Sequence, residues 1–107
     1  MGNLTQKILT LMALLSVFVV TTDASSQKGQ RLYIKKLKNG CKMNASVIAA
    51  KHSTAEWEEL NNKGEIMKEI QELCPDLQEN ILKQKDIPHY FDFFKAYSND
   101  SGSVPSC

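Results

Sequence analysis

The chain has 107 residues, and its 13 Lys and Arg against 12 Asp and Glu leave a net charge of +1. A length this short implies one small domain, which buries only about 60–65% of the surface its unfolded form exposes and so needs a staple. The basic stretch lacks a zinc or helix-turn-helix pattern and the chain reads as exported, so no nucleic-acid partner is expected.

Residues 1–24 read as an export leader. Lys7 and the amino terminus give a positive start, and Ile8 to Val20 is an apolar, uncharged run. Thr22 and Ala24 are small residues at the places a signal peptidase reads. The run falls short of the about 20 apolar residues that span a bilayer. A cut after Ser26, with Ala24 as its outer small residue, is the close rival. No cysteine stands near either cut, so a lipid-anchored product is not expected. The expected mature chain is periplasmic or secreted, with no membrane span after cleavage.

In an oxidising compartment Cys41, Cys74 and Cys107 are disulfide candidates. Three thiols allow three single pairings and always leave one over. A Cys41–Cys74 bridge closes a loop of about 33 residues, worth roughly 3.5–4 kcal/mol on the chain-entropy account. Cys74 is the expected shared member, because Pro75 fixes its position, but which pair forms cannot be read from the residues. The odd cysteine joins two molecules, holds a cofactor or stays reduced.

Helix is the expected state of residues 25–97. Gly29 to Lys38 places Leu32, Tyr33, Ile34 and Leu37 on one side and lysine and arginine on the other. Asn39-Gly40 is expected to stop it. Asn44 caps a short helix through Val47, Ile48, Ala49 and Ala50. Ser53 and Glu56 form a capping box that opens a helix holding Trp57 and Leu60, closed by Asn61 to Gly64. Glu65 to Cys74 is amphipathic, with Ile66, Ile70 and Leu73 on one face and Met67 and Cys74 beside them. Pro75 ends it. Asp76 to Lys83 is expected to add a turn or two of helix. The last helix begins near Pro88 and carries a core stripe of Tyr90, Phe94 and Tyr97 with Phe91 close by. Residues 98–107 form a polar tail whose best anchor is a bridged Cys107.

Charge is unevenly spread along the chain. Lys28, Arg31, Lys35, Lys36, Lys38, Lys42 and Lys51 stand in a segment without an acid, whereas acids dominate from Glu56 to Glu79. One reading is two solvated faces that attract each other. The other is a docking face, formed by Lys28, Arg31, Lys35, Lys36 and Lys38, for an acidic protein partner.

No enzyme is expected. Cys41 and His52 have no further member of a nucleophilic site, there is no CxxC, and the acids lack a calcium-loop pattern. Three cysteines with His52 or His89 fit no familiar zinc spacing.

Gly29-Gln30-Arg31-Leu32-Tyr33, followed by Cys41, resembles the opening of a small class I cytochrome c, where G-x-x-L-Y precedes the haem-attachment motif. Asp86-Ile87-Pro88-His89-Tyr90-Phe91 resembles the start of that family's last helix. The run GxxLYxxxLxxxC, AAKH, EW, a mid-chain CP and a final VPSC is similar to small exported cytochrome c-like proteins of campylobacter-type bacteria, over most of the mature chain. The resemblance implies an all-α, cytochrome c-like small helical bundle, here disulfide-stabilised, with a place near respiratory electron transfer. It also implies a departure. Covalent haem needs C-x-x-C-H, but Asn44 and Ala45 stand where the second cysteine and the histidine belong. Two-point haem attachment is excluded by residue type.

The expected function is therefore a binding or accessory role without a resident cofactor. One alternative is an electron carrier with non-standard haem attachment, using one thioether from Cys41, His52 as axial ligand and Met67 or His89 opposite. The packing reading of His52 is a staple against Trp57. A second alternative is a disulfide-stabilised secreted ligand or effector.

Overall fold

A computed structural model describes residues 24–102, and among them every regular element is helical and no strand occurs. The leader, up to its last residue, and Cys107 lie outside the described residues. Helix α1 (Ala24–Leu32) runs without a break through a π-helical segment (Tyr33–Leu37) into α2 (Lys38–Cys41). Then come α3 (Ala45–Ala49), α4 (Thr54–Asn62), α5 (Ile66–Leu73), a 3-10 turn (Gln84–Asp86) and α6 (Ile87–Ala96).

α1 packs along α6, which also meets α3, α4 and α5. The closeness of the first contact is set by Gly29. A Cβ there would lie 1.9 Å from the backbone oxygen of His89 and 2.9 Å from Cβ of Phe93. Only glycine permits that approach. The helix starts before Gly29, earlier than its apolar pattern suggests, because its first turn buries Ser26 rather than a large apolar side chain.

The π segment has a geometric use. Lys38 N–H donates to the carbonyl of Tyr33, five residues back. Residues four apart drift forward around an α-helix, and a wider π turn offsets that drift. Tyr33, Leu37 and Cys41 thereby stay on one buried line.

Gly40 does not stop the helix as its sequence position suggests. The helix continues to Cys41, and Lys42 takes the left-handed cap at φ 57°. Gly40 serves packing instead, since a Cβ there would lie 2.6 Å from Cδ2 of Leu77. At this end Cys41 and Cys74 form a disulfide with their Cα atoms 4.4 Å apart. It ties the end of α2 to the end of α5, and Lys42 Nζ meets Asp76 Oδ2 at 2.8 Å beside it.

Asn44 is the N-cap residue of α3, although its side chain makes no capping hydrogen bond. Ser53 and Glu56 make both halves of the capping box of α4. Gly64, at φ 70°, turns the chain after α4. Asp76 to Lys83 differs from expectation: it holds isolated turns, Leu77 N–H to Cys74 O and Ile81 N–H to Gln78 O, and no helix. Its apolar side chains Leu77, Ile81 and Leu82 pack on the core from these turns.

The core is aromatic. Trp57 stacks on Phe94 with ring centroids 4.6 Å apart, and its Nε1–H donates to Ala49 O at 2.9 Å. Phe93, not Phe91, is the buried partner of Tyr90 and Phe94, while Phe91 and Tyr97 are half-buried. The reason is that α6 is covered on two sides: Phe93 faces Tyr33 of the first rod, and Phe94 faces Trp57. Full burial of each such ring contributes about 1.5–3 kcal/mol.

Alkylation of the folded chain without reductant should leave Cys41 and Cys74 unmodified, which peptide mass mapping checks. Replacing both by serine should cost about 2–5 kcal/mol in a denaturant titration. Gly29→Ala should destabilise the chain by more than about 3 kcal/mol, read from the same titration, because the clash is with backbone.

Candidate functional site

Two surfaces gather the chemically capable side chains. The first is the outer side of α1. Lys28, Arg31 and Lys35 are exposed and, with the half-buried Leu32, border a hollow of about 360 Å³. The helical repeat brings positions 28, 31, 32 and 35 onto one face. None of these three cations has an acidic partner among the described residues. Ile34, 41% exposed, adds an apolar neighbour in the sequence of the same rod.

Lys36 does not belong to that surface. Its Nζ lies 3.1 Å from Asp86 Oδ2, and the Asp86 side chain is only 6% exposed. The pair locks the π segment to the start of α6, and loss of either partner would leave a charge stranded at the helix contact. Lys38 is half-buried at the inner end of the rod. Of the five docking candidates, Lys28, Arg31 and Lys35 form the accessible set.

The second surface surrounds His52. Its Nε2 lies 2.6 Å from Glu69 Oε2, and its Nδ1 lies 3.9 Å from Glu56 Oε1. Its ring stands edge-on to Trp57 at 4.7 Å. His52 therefore makes the staple before α4, and its two carboxylates hold it from two sides. Glu56 is held well within the ionised range, first by the backbone N–H of Ser53, then by the Ser53 hydroxyl, with a smaller contribution from His52. A hollow of about 200 Å³ lies outside this group, bordered by His52, Glu56, Glu59, Leu60 and Lys63.

The segment after α6 closes over this region. Asn99 N–H donates to His52 O at 3.1 Å, and Asn99 Nδ2 donates to Ala50 O at 3.4 Å. Asp100 Oδ1 accepts from Thr54 N–H at 2.9 Å, from Thr54 Oγ1 at 3.0 Å and from Ser98 Oγ at 3.1 Å. Ser98 is 3% exposed. Beyond Ser98 the described part of the tail buries little, but its first residues have an anchor that the sequence did not show: polar bonds to the start of α4. Asp100 supplies an acceptor to a free N–H of the first turn, as a cap residue would. Those bonds, from the Thr54 backbone first and its hydroxyl second, lower the Asp100 carboxyl from its ordinary value.

The haem-ligand candidates do not converge. Cys41 Sγ is bonded to Cys74. His52 faces Glu69 and Glu56, whereas Met67 borders a different hollow with Ile66, Gln84 and Ile87. His89 Nδ1 lies 2.9 Å from Ser25 Oγ, on the α1 side of α6. Trp57, Tyr90, Phe93 and Phe94 fill the interior. As folded, these residues do not fit a haem. Among the described residues no group of three or more His, Cys, Asp or Glu side chains is placed to hold a metal ion, and no helix is long and apolar enough to cross a membrane.

Sequence reasoning missed Glu69, Asp86, Asp100 and the Ser25–His89 pair as partners. Each bond spans a long stretch of chain, and no local pattern marks it. The Tyr90 hydroxyl was equally hidden: it is buried without a hydrogen-bond partner among the described residues, and burial, with Asp86 adding to it, pushes its pKa up to about 12.

No protein-family model, curated protein or solved structure matches the chain.

Because the Asp100 carboxyl is lowered in the folded state, its stabilising effect is present above the unfolded value of about 3.9 and is lost as pH falls through the folded value. Asp100→Asn should therefore melt below the parent at pH 7, and the gap should close on acidification, in thermal melts followed by circular dichroism.

Proposed function

We propose that this chain is an exported helical binding protein that docks on an acidic protein partner through the outer face of α1. Its place is an accessory one near respiratory electron transfer, in the periplasm, after removal of residues 1–24. The sequence motifs that resemble a small class I cytochrome c support this place, and on this reading the Cys41–Cys74 bridge takes the role of staple that a covalent cofactor has in that family.

One observation carries the reading. Lys28, Arg31 and Lys35 are exposed around Leu32 and have no internal acid partner among the described residues. Cations that stabilise a fold by pairing, as Lys36 and Lys42 do here, leave little charge for a partner. Unpaired cations around a shallow apolar centre present a field that steers an oppositely charged surface and a small patch that it can cover. Among the described residues no nucleophile, base and oxyanion site is assembled, and the reading is therefore of binding.

Crosslinking in the periplasm, followed by mass spectrometry of the captured protein, identifies the partner. With that partner in hand, the triple change Lys28→Glu, Arg31→Glu, Lys35→Glu should weaken binding by more than about tenfold at low salt, with most of the change in the association rate, and the difference should shrink at high salt. Unchanged binding would move the docking surface elsewhere.

A further inference from the structure

Ser25 and Ser26 lie in the first turn of α1, where the rod meets α6. Ser25 Oγ lies 2.9 Å from His89 Nδ1, and Ser26 is 4% exposed. Beside them is a hollow of about 410 Å³, also bordered by Thr54, Glu58, Asp92 and Lys95. Lys95 Nζ stands 5.1 Å from the centre of the Phe91 ring. Glu58 on α4 and Asp92 on α6 have no cation partner among the described residues. Two carboxylates thus border the hollow at the start of the first rod with Lys95 beside them, and neither is ion-paired among the described residues.

We propose that the chain is cut between Ala24 and Ser25, and that the α-ammonium released on Ser25 is received at this hollow by the carboxylates of Glu58 and Asp92. The proposal rests on the export reading given above and adds which bond is cut and what the new end binds. In the cut, water adds across the Ala24–Ser25 amide. The hydroxyl goes to the carbonyl carbon of Ala24, the C–N bond breaks and a hydrogen goes to the Ser25 nitrogen. At neutral pH that amine takes up one more proton. The catalyst class is a signal peptidase, and no other co-reactant is needed.

The rival cut, after Ser26, is the worse fit to the fold. It would remove the hydroxyl that meets His89 and the buried Ser26, and would leave the exposed Gln27 as the first residue. A cut at Ala24 keeps both serines. It also places a positive charge at the positive end of a helix dipole, which is unfavourable unless acids stand close by. Glu58 and Asp92 are those acids. The other ionisable groups facing the new end are Lys95 and His89 from α6, with Lys28 one turn further along α1.

Expression of the full chain in a bacterial host with export, followed by intact mass of the periplasmic product, tests the cut. A product beginning at Ser25 is expected. A product beginning at Gln27, or at any other residue, overturns the proposal but leaves export standing. A product that retains residues 1–24 overturns both. The receiving carboxylates are tested separately on the Ser25 product against its N-terminally acetylated form. An amine raised above its ordinary value of about 8 stabilises the fold below that pH, and its effect is lost as pH rises through the raised value. The acetylated form should therefore melt about 4–8 °C lower at pH 7, and the two should converge near pH 10. Glu58→Gln with Asp92→Asn should abolish the gap at pH 7. Equal melting of the two forms at pH 7, or a gap that survives the double change, overturns the assignment of these two acids.

Discussion

At Gly29 the carbonyl oxygen of His89 occupies the space where a side chain would begin. The contact of α1 with α6 depends on that vacancy, and much of the remaining structure depends on the contact. It sets Tyr33 against Phe93 and brings Ser25 to His89 and Lys36 to Asp86. Two helices that touch through backbone lie closer than side-chain packing alone allows. The long first rod can then cover α6 with few large residues of its own. The disulfide acts at the opposite end, holding Cys41 to the end of α5. One end is fixed by the absence of a side chain, the other by a covalent bond.

This arrangement also decides how the charges are distributed in space. α6 meets the basic rod along one side and the acid-rich α4 and α5 elsewhere. Among the described residues, direct neutralisation between the basic and acidic segments is confined to the Lys42–Asp76 pair beside the disulfide. Other acids are engaged elsewhere: Glu59 with Lys63 and Glu56 with the start of its own helix, both locally, and Glu69 with His52. The cations of α1 are left facing solvent. The sequential charge dipole therefore survives folding as a surface property, which is the condition for electrostatic steering.

Legibility followed the range of the interactions. The capping box of Ser53 and Glu56, the staple of His52 on Trp57, the stop at Pro75 and the proline start of α6 are contained within a few residues, and each was readable from the chain. The apolar period of Ile66 and Ile70 was readable for the same reason. The Cys41–Cys74 pairing was one of three open choices, because thiol pairing depends on where two distant helix ends meet. Gly40 was misread because a glycine at a helix end and a glycine under a neighbour's side chain look alike in sequence. Phe93 was left off the core stripe because a single stripe was assigned to α6, whereas a helix covered on two sides buries two. Asp100 and Glu69 find their partners across long stretches of chain, and nothing local distinguishes them from solvated acids. For the candidate surface, the cationic residues were visible but their division was not: only the fold separates Lys36, held by Asp86, from Lys28, Arg31 and Lys35.

Thr54 has a position whose importance exceeds its size. Ser25 and Ser26 border the same hollow as Thr54, and Asp100 binds both its N–H and its hydroxyl. The two extremities of the described chain therefore converge on a single helix start in its middle. Fraying of either extremity loosens the same turn, so the amide-exchange behaviour of the outermost segments is coupled although they are remote in sequence. Their proximity also makes the segment 24–102, taken by itself, a candidate for circular permutation, with a short linker joining its two limits and new ends opened in the turns between Asp76 and Lys83.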